Sequence, residues 1–442
     1  MVEWRGALRR WWQTREARLF GALLLLALLA RIPLTPWFSF YGDQNAYIYW
    51  GSALHTHFFD LYSALARTPN PRLAPQYPPP AMYLFGACTT FYQALASIFA
   101  LPALSYTHPS HVLIAVMKLP SIACDLGTIS VIYALARRAA PTRWALIAAA
   151  SYAFAPAVLL DGAIWGQTDA IMLLPLLLAL VCTLRRKGIA AGALLALAML
   201  IKPQPVIFAP LLLLHLWRWA GWRQAAKAVA AMAATALLLC SPYLLPPHPE
   251  MAIFVQHMLA STDFSLAASP TAFNLWVALL IPNRYYLAPY LGPLSVNTLG
   301  DALFICCMLL ALAAVWRDGS PARLYRCAGF VALAFFGVMT LQLERYLFPA
   351  PALFLLAAVY QRQAIGAYIV CSVTLALNIL ARIIGGVDSA HWATSLHSGY
   401  SALSFTVSLV NIGLLAWLAG ETLRAQVADR RKIRALALSG SG

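Results

Sequence analysis

The stretch Tyr41-Gly42-Asp43-Gln44-Asn45-Ala46-Tyr47-Ile48-Tyr49-Trp50 sets one carboxylate among aromatic side chains, directly after a strongly apolar run, Leu19–Leu34. A carboxylate at the mouth of a membrane span is costly to dehydrate, so its position asks for a reason. One reason is chemical: Asp43 as a base that takes a proton from a hydroxyl group. The other is local. Gly42-Asp43 ahead of a helical run reads as an N-cap, with the carboxylate accepting from a first-turn N–H. The two are compatible, because capping would hold the carboxylate still.

Other polar residues recur where chemistry could use them. His111, Lys118 and Asp125 follow one another at intervals of nearly two helical turns and so share a helix face. Asp125 reads best as the buried partner of Lys118, whereas Lys118, nearer the outer end, could instead meet a phosphate. In Asp161-Gly162-Ala163-Ile164-Trp165-Gly166-Gln167-Thr168-Asp169, expected as a tight outer turn, two carboxylates flank Trp165-Gly166-Gln167. Trp165 offers a stacking face for a sugar ring, and Gly166 allows close backbone approach. Asp169 would also suit a helix N-terminus. Lys202-Pro203-Gln204-Pro205 holds a cation rigidly between helices, or lets its stem snorkel. Glu344-Arg345-Tyr346 is either an ion pair or an arginine that grips phosphate through two parallel hydrogen bonds. Asn274 and Trp276 are weaker candidates for binding an acceptor.

These residues must be carried by membrane helices. The chain is 62% hydrophobic and 10% charged, where soluble proteins carry about a quarter charged residues. Apolar runs of spanning length recur from end to end, which makes the chain an all-α polytopic membrane protein and a single integral domain over 1–442. The basic N-terminus precedes a full span without a small-residue cleavage site and reads as a retained anchor. The formal charge of +16 sits in short clusters between apolar runs, as orientation signals do, so nucleic acid is excluded as a partner. The eight cysteines contain no CxxC spacing and mostly fall inside spans. They are expected to be packing residues, with neither a metal site nor disulfides. No GxGxxG, Walker A, HExxH or GxSxG motif occurs, so nucleotide-driven transport, zinc hydrolysis and serine hydrolysis lack support.

Charge also orients the chain. Twelve spans are expected near 17–36, 111–136, 144–160, 169–184, 188–201, 204–218, 224–243, 297–316, 327–341, 346–360, 364–383 and 401–420. The apolar segment Pro78–Ala100 is assigned to the interface and not to a span. That choice puts most of the 31 basic residues, and both termini, on the cytoplasmic side, whereas a crossing there would put most of them outside. Two long outer segments result. The first, 37–110, should hold interfacial helices at Gln44–Phe59 and Pro79–Ala100, separated by the proline-rich stretch Pro69–Pro80, which cannot be regular helix. The second is 245–296. Inner loops are short, so chemistry belongs to the outer face.

Laid in order, these segments resemble a known group. Tyr41-Gly42-Asp43, Gln76-Tyr77-Pro78-Pro79-Pro80-Ala81-Met82-Tyr83 and Lys118…Asp125 resemble the first outer loop and second span of the endoplasmic-reticulum glucosyltransferases that build the asparagine-linked glycan precursor. Trp165-Gly166-Gln167-Thr168-Asp169, Lys202-Pro203-Gln204, Phe273-Asn274-Leu275-Trp276 and Glu344-Arg345-Tyr346-Leu347 are more similar still to the prokaryotic proteins related to the second GPI mannosyltransferase. Both groups belong to the GT-C class. Two positions depart from the pattern: Gln76 replaces an acid before the paired prolines, and Leu343 replaces the histidine before Glu-Arg/Lys that is implicated in donor-phosphate contact.

The resemblance implies a GT-C fold with about twelve transmembrane helices and two interfacial helices. It also implies a polyprenyl-phosphate-hexose donor, mannose ahead of glucose, and inverting transfer to a lipid-linked glycan or glycolipid without metal or other cofactor. In that reading Asp43 is the base, and Arg345, Lys202 and Lys118 attend the donor phosphate. Tyr41, Tyr77, Trp165, Gln167, Asp169, Gln204, Asn274, Trp276 and Glu344 line the sugar and acceptor sites. The protein would be a monomer in a prokaryotic plasma membrane, surrounded by membrane lipid, with its site on the periplasmic face. Two alternatives remain: the same fold acting on a protein acceptor, and a lipid-sugar flippase, which should show inverted repeats and broken helices at mid-depth.

Overall fold

Capping and proline chemistry set several helix starts. Thr14 accepts from Ala17 N–H at 3.2 Å, Ser110 from Leu113 at 3.2 Å, Ser295 from Thr298 at 3.0 Å and Ser320 from Arg323 at 3.3 Å, each satisfying an orphan first-turn donor. Pro79 and Pro321 stand in first-turn positions, where a missing N–H costs nothing. The structure, a computed structural model, describes residues 14–36, 41–244, 250–263, 269, 271–280, 290–291, 294–384 and 399–439.

The α-helices are α1 (Arg15–Arg31), α2 (Tyr41–Thr56), α3 (Leu61–Ala66), α4 (Pro79–Phe99), α5 (His111–Ala139), α6 (Thr142–Ala153), α7 (Asp169–Leu184), α8 (Gly188–Ile201), α9 (Ala209–Ala220) and α10 (Trp222–Cys240). They continue as α11 (Glu250–Asp263), α12 (Leu275–Leu280), α13 (Val296–Arg317), α14 (Pro321–Val338), α15 (Pro349–Tyr360), α16 (Ala364–Ile384) and α17 (Gly399–Ser439). A two-residue antiparallel ladder pairs Tyr290 with Ser295 and Leu291 with Leu294. Among the described residues seven helices are long and apolar enough to cross a membrane, or eight if the pair Thr142–Ala153 and Pro156–Trp165, bent by 44°, is one broken span. The all-α membrane architecture read from composition is therefore present. α4 passes that length-and-apolarity test as the least apolar of the seven.

The chain packs as two compact units: Met1–Leu178 with Ala196–Pro203 and Thr235–Met258, and Ala179–Leu195 with Gln204–Ala234 and Leu259–Gly442. The first unit is built on an aromatic core in which Tyr47 stacks on Phe85 at 4.5 Å between ring centres, with Trp50, Tyr62, Tyr77, Tyr92 and Tyr243 buried around them. Trp50 Nε1 donates to the Leu73 carbonyl at 2.8 Å and Tyr62 to the Tyr77 carbonyl at 2.9 Å. These donors hold the proline-rich connection, which contains only the short 3-10 helix Pro71–Leu73. In the second unit α14 and α15 are buried almost throughout. Gly188 and Gly192 let α8 approach α10 so closely that a Cβ would lie 2.2 Å from the Gln224 carbonyl oxygen and 2.1 Å from that of Ala228. This is a small-residue helix seam of the kind membrane proteins use.

Three expectations are corrected here. Asp125 does not pair with Lys118; it accepts from Arg31 Nε at 3.1 Å and from the Tyr152 hydroxyl at 3.1 Å, with Arg31 and Asp125 both fully buried. The side chain at the end of α1 reaches this carboxylate first, while Lys118 has backbone carbonyls closer to hand. The span expected at 144–160 is not one straight helix, because Pro156 cannot continue it; the chain breaks after Ala153 and turns. Asn274 and Trp276 are interior anchors of the second unit. Asn274 Nδ2 donates to the Phe336 and Met339 carbonyls, both at 3.2 Å, and Trp276 Nε1 to that of Val338 at 2.9 Å.

Asp125→Ala should lower stability by about 3–5 kcal/mol, since it strands a buried guanidinium, whereas Arg31→Met with Asp125→Leu should cost much less. Thermal unfolding in detergent checks the difference; equal losses would show that burial of charge is not the cause.

Candidate functional site

α2 begins at Tyr41, so Asp43 stands inside its first turn and does not cap it. Its carboxylate turns away to the segment after Pro156. There the chain forms a π-helix, Leu159–Trp165, and closes at Gly166, whose φ of 84° is left-handed. Gly166 N–H and Gln167 N–H both donate to the Asp161 carbonyl, at 2.9 and 3.0 Å. The expected tight turn is thus a π-helix with a left-handed glycine cap, which aims the Trp165 and Gln167 side chains the same way.

Both of those side chains bind one atom. Trp165 Nε1 donates to Asp43 Oδ2 at 2.9 Å, and Gln167 Nε2 donates to the same oxygen at 2.5 Å. Asp43 is only partly buried, and among the described residues its Oδ1 has no hydrogen-bond donor. One oxygen is fixed and the other is open. Gln44, fully buried, donates in the opposite direction to the Gly166 carbonyl at 2.9 Å and the Trp165 carbonyl at 3.3 Å. A Cβ on Gly166 would lie 2.5 Å from Gln44 Nε2 and 2.9 Å from Lys118 Cε, so glycine is needed for space as well as for φ.

A hydroxyl chain extends from this clamp. The Tyr47 hydroxyl donates to Gln167 Oε1 at 3.1 Å and lies 3.3 Å from the Tyr77 hydroxyl, to which Thr168 Oγ1 donates at 3.4 Å. Ser121 Oγ holds the Gln167 carbonyl at 2.5 Å. Tyr47, Ser121 and Thr168 were not among the residues singled out in the sequence. Their signal is slight, because an aromatic or hydroxyl residue in an apolar helix looks like packing until its partner is seen.

The expected cations are differently employed. Lys118 Nζ, fully buried, donates to the Thr35 carbonyl at 3.0 Å and the Ile164 carbonyl at 2.7 Å. Lys202 forms a buried pair with Asp169, 2.7 Å to each carboxylate oxygen. Neither sits as a bare charge awaiting a phosphate; each meets a polar demand inside the first unit. In the second unit Arg345 donates to Glu344 at 2.6 Å, Glu344 is bound by the Thr271 hydroxyl, and Gln204 Nε2 donates to the Tyr346 carbonyl at 2.6 Å. Burial pushes the Glu344 carboxyl up, but Arg345, Arg382 and the Thr271 hydrogen bond outweigh it, and the group stays below its ordinary value. The side chain of Tyr41 and residues 37–40, 245–249, 264–268, 270, 281–289 and 292–293 of the outer segments lie outside the described residues. Among the described residues no cluster of histidine, cysteine and carboxylate side chains could hold a metal ion.

The family model for glycosyltransferase family 87 matches residues 76–341, more than half of the chain; the match begins after Asp43 and ends before Glu344. Comparison with curated proteins gave no match. Among solved structures, the archaeal oligosaccharyltransferase AglB from Archaeoglobus fulgidus, in complex with an inhibitory peptide and a dolichol-phosphate, is similar at 15% identity and a TM-score of 0.43. That similarity covers 93% of this chain and 56% of AglB, so the chain spans little over half the length of the protein it matches.

Trp165→Phe removes one donor to Asp43 while keeping the ring, and should lower turnover by about tenfold or more, the worth of one hydrogen bond to a charged group. An unchanged turnover number would remove Trp165 from the clamp's function. Gly166→Ala should lower the unfolding temperature, since alanine in this backbone region alone costs about 1–2 kcal/mol and the new methyl group must also displace Gln44. A melting curve superimposable on that of the parent would contradict the close packing.

Proposed function

Because the chain belongs to glycosyltransferase family 87, we propose that it is a GT-C transferase in which Asp43 is the general base. The observation that carries the proposal is the asymmetric carboxylate, with Oδ2 held by Trp165 and Gln167 and Oδ1 open. A base must be fixed in direction and must keep one lone pair for the proton it removes. Two donors on one oxygen meet the first need without occupying the second.

The reaction that fits is an inverting displacement. As the acceptor hydroxyl oxygen forms its bond to the anomeric carbon, Asp43 Oδ1 takes the hydroxyl proton. The bond from that carbon to the phosphate oxygen breaks, and its electron pair leaves with polyprenyl phosphate. Charge grows on the departing phosphate, so a cation there stabilises the transition state. None of the three expected cations is free for this role within its own unit: Lys202 pairs with Asp169, Lys118 is bound to carbonyls and Arg345 pairs with Glu344. Tyr77, joined to the clamp through Tyr47, is the favoured contact for the sugar or acceptor, whereas Trp165, fully buried, serves to orient Asp43. The donor is a polyprenyl-phosphate hexose, mannose before glucose, and the acceptor a lipid-linked glycan or glycolipid. The setting is a prokaryotic plasma membrane with the site on the periplasmic face.

Asp43→Asn preserves an oxygen that Trp165 and Gln167 can bind but cannot take a proton. It should cut transfer by about a hundred- to ten-thousandfold while leaving the unfolding temperature within a few degrees of the parent. Purified protein supplied with polyprenyl-phospho-mannose and then polyprenyl-phospho-glucose, with products read by mass spectrometry, checks this. Near-parental turnover of the asparagine variant would end the assignment, and donor movement without a new glycosidic bond would indicate a flippase.

A further inference from the structure

The turn joining α9 to α10 closes on Gly221, whose φ of 90° is left-handed. Tryptophans crowd around it. Trp217 and Trp316 meet edge to face at 5.7 Å, and the Arg218 guanidinium lies 4.7 Å from the Trp219 ring centre and 5.3 Å from that of Trp316. Arg223 lies 5.8 Å from the ring centre of Trp222. Arg218, Arg223 and Lys227 are exposed, and among the described residues none has a carboxylate partner. Beside this basic and aromatic collar, within the same unit, runs an apolar groove of about 350 Å³ between α9, α10 and α13, lined by Leu213, Leu214, Trp217, Ala226, Val229 and Leu312. Trp217 belongs to both.

We propose that this collar and groove bind one anionic glycerophospholipid, with its phosphate against Arg218, Arg223 and Lys227 and an acyl chain along the groove. Three features meet that chemistry. α10 is the least buried of the spanning helices, with 11% of its window covered by protein, so lipid must contact this face. Tryptophan and arginine mark the depth at which head groups lie, and an arginine held near two indoles reaches a phosphate at less entropic cost than a free one. The cations, which have no carboxylate partner among the described residues, favour a head group of net negative charge over a zwitterionic one. The donor lipid also carries a phosphate, but the charge pattern assigns this turn to the cytoplasmic side and Asp43 to the other, which favours a bilayer phospholipid here. The inference does not rest on the role given to Asp43.

The test uses the purified full chain in mixed micelles and a phosphatidylglycerol carrying a diazirine on its acyl chain, with cross-links mapped by mass spectrometry. Label should concentrate on the peptides containing Leu213–Val229 and Leu312. Unlabelled phosphatidylglycerol should displace it better than phosphatidylcholine, and each of Arg218→Gln, Arg223→Gln and Lys227→Gln should weaken labelling by up to about fivefold. Ala226→Phe, which fills the groove, should abolish the acyl-chain cross-links there at an unchanged unfolding temperature, and serves if the charge variants do not fold. Label spread evenly over the apolar helices, equal competition by phosphatidylcholine, or stronger displacement by polyprenyl phosphate would each overturn the proposal.

Discussion

Two hydrogen bonds onto one carboxylate oxygen, from an indole and a carboxamide that flank a left-handed glycine, tie the start of α2 to the segment after Pro156. The tie is reciprocal. Asp43 accepts from the side chains of that segment, and its neighbour Gln44 donates to the segment's backbone. Such an arrangement resists rotation of the carboxylate more than a single contact would, because moving Asp43 disturbs donors and acceptors together. It also requires the π-helix, whose wider turn leads into Gly166 and brings Trp165 and Gln167 to the same side.

An apolar solvent makes that irregular backbone expensive unless every polar group is met from inside the protein. Lys118 supplies part of the answer, donating to the carbonyl of Ile164 in the π-helix and to that of Thr35 just after the first helix. Arg31, Asp125 and Tyr152 form a second buried set, and Lys202 with Asp169 a third. A buried ion pair adds little net stability, yet removing one partner is severe, which makes these sets better at enforcing a single arrangement than at raising stability. The three sets lie in the same unit as Asp43. They fix the backbone around the carboxylate without contributing a charge to it.

Much of the helical framework was legible in the residues themselves. Serine and threonine caps, the Pro-Pro start of α4 and the long apolar runs are local signals, and local signals survive without knowledge of the fold. The proline-rich connection before α4 was recognisable for the same reason. Asp43 stood out because a carboxylate beside a long apolar run has few inexpensive positions. The partners of charged residues were not legible. Lys118 and Asp125 share a helix face, which made them look like a pair, yet each found a nearer partner on another element. Asn274 and Trp276 looked like ligand contacts and proved to be interior anchors, a distinction that depends on which backbone carbonyls lie within reach.

The sequence by itself determined that this is a helical membrane protein with a carboxylate beside its first apolar segment, because hydropathy, proline and capping residues act over a few positions along the chain. Only the tertiary structure decided that the carboxylate is held by Trp165 and Gln167, that Gly166 must be glycine, and that the buried lysines answer to carbonyls and to Asp169. The reason is distance. A hydrogen bond forms between groups about 3 Å apart in space, and residues more than a hundred positions apart carry no mark of that meeting until the helices between them have packed.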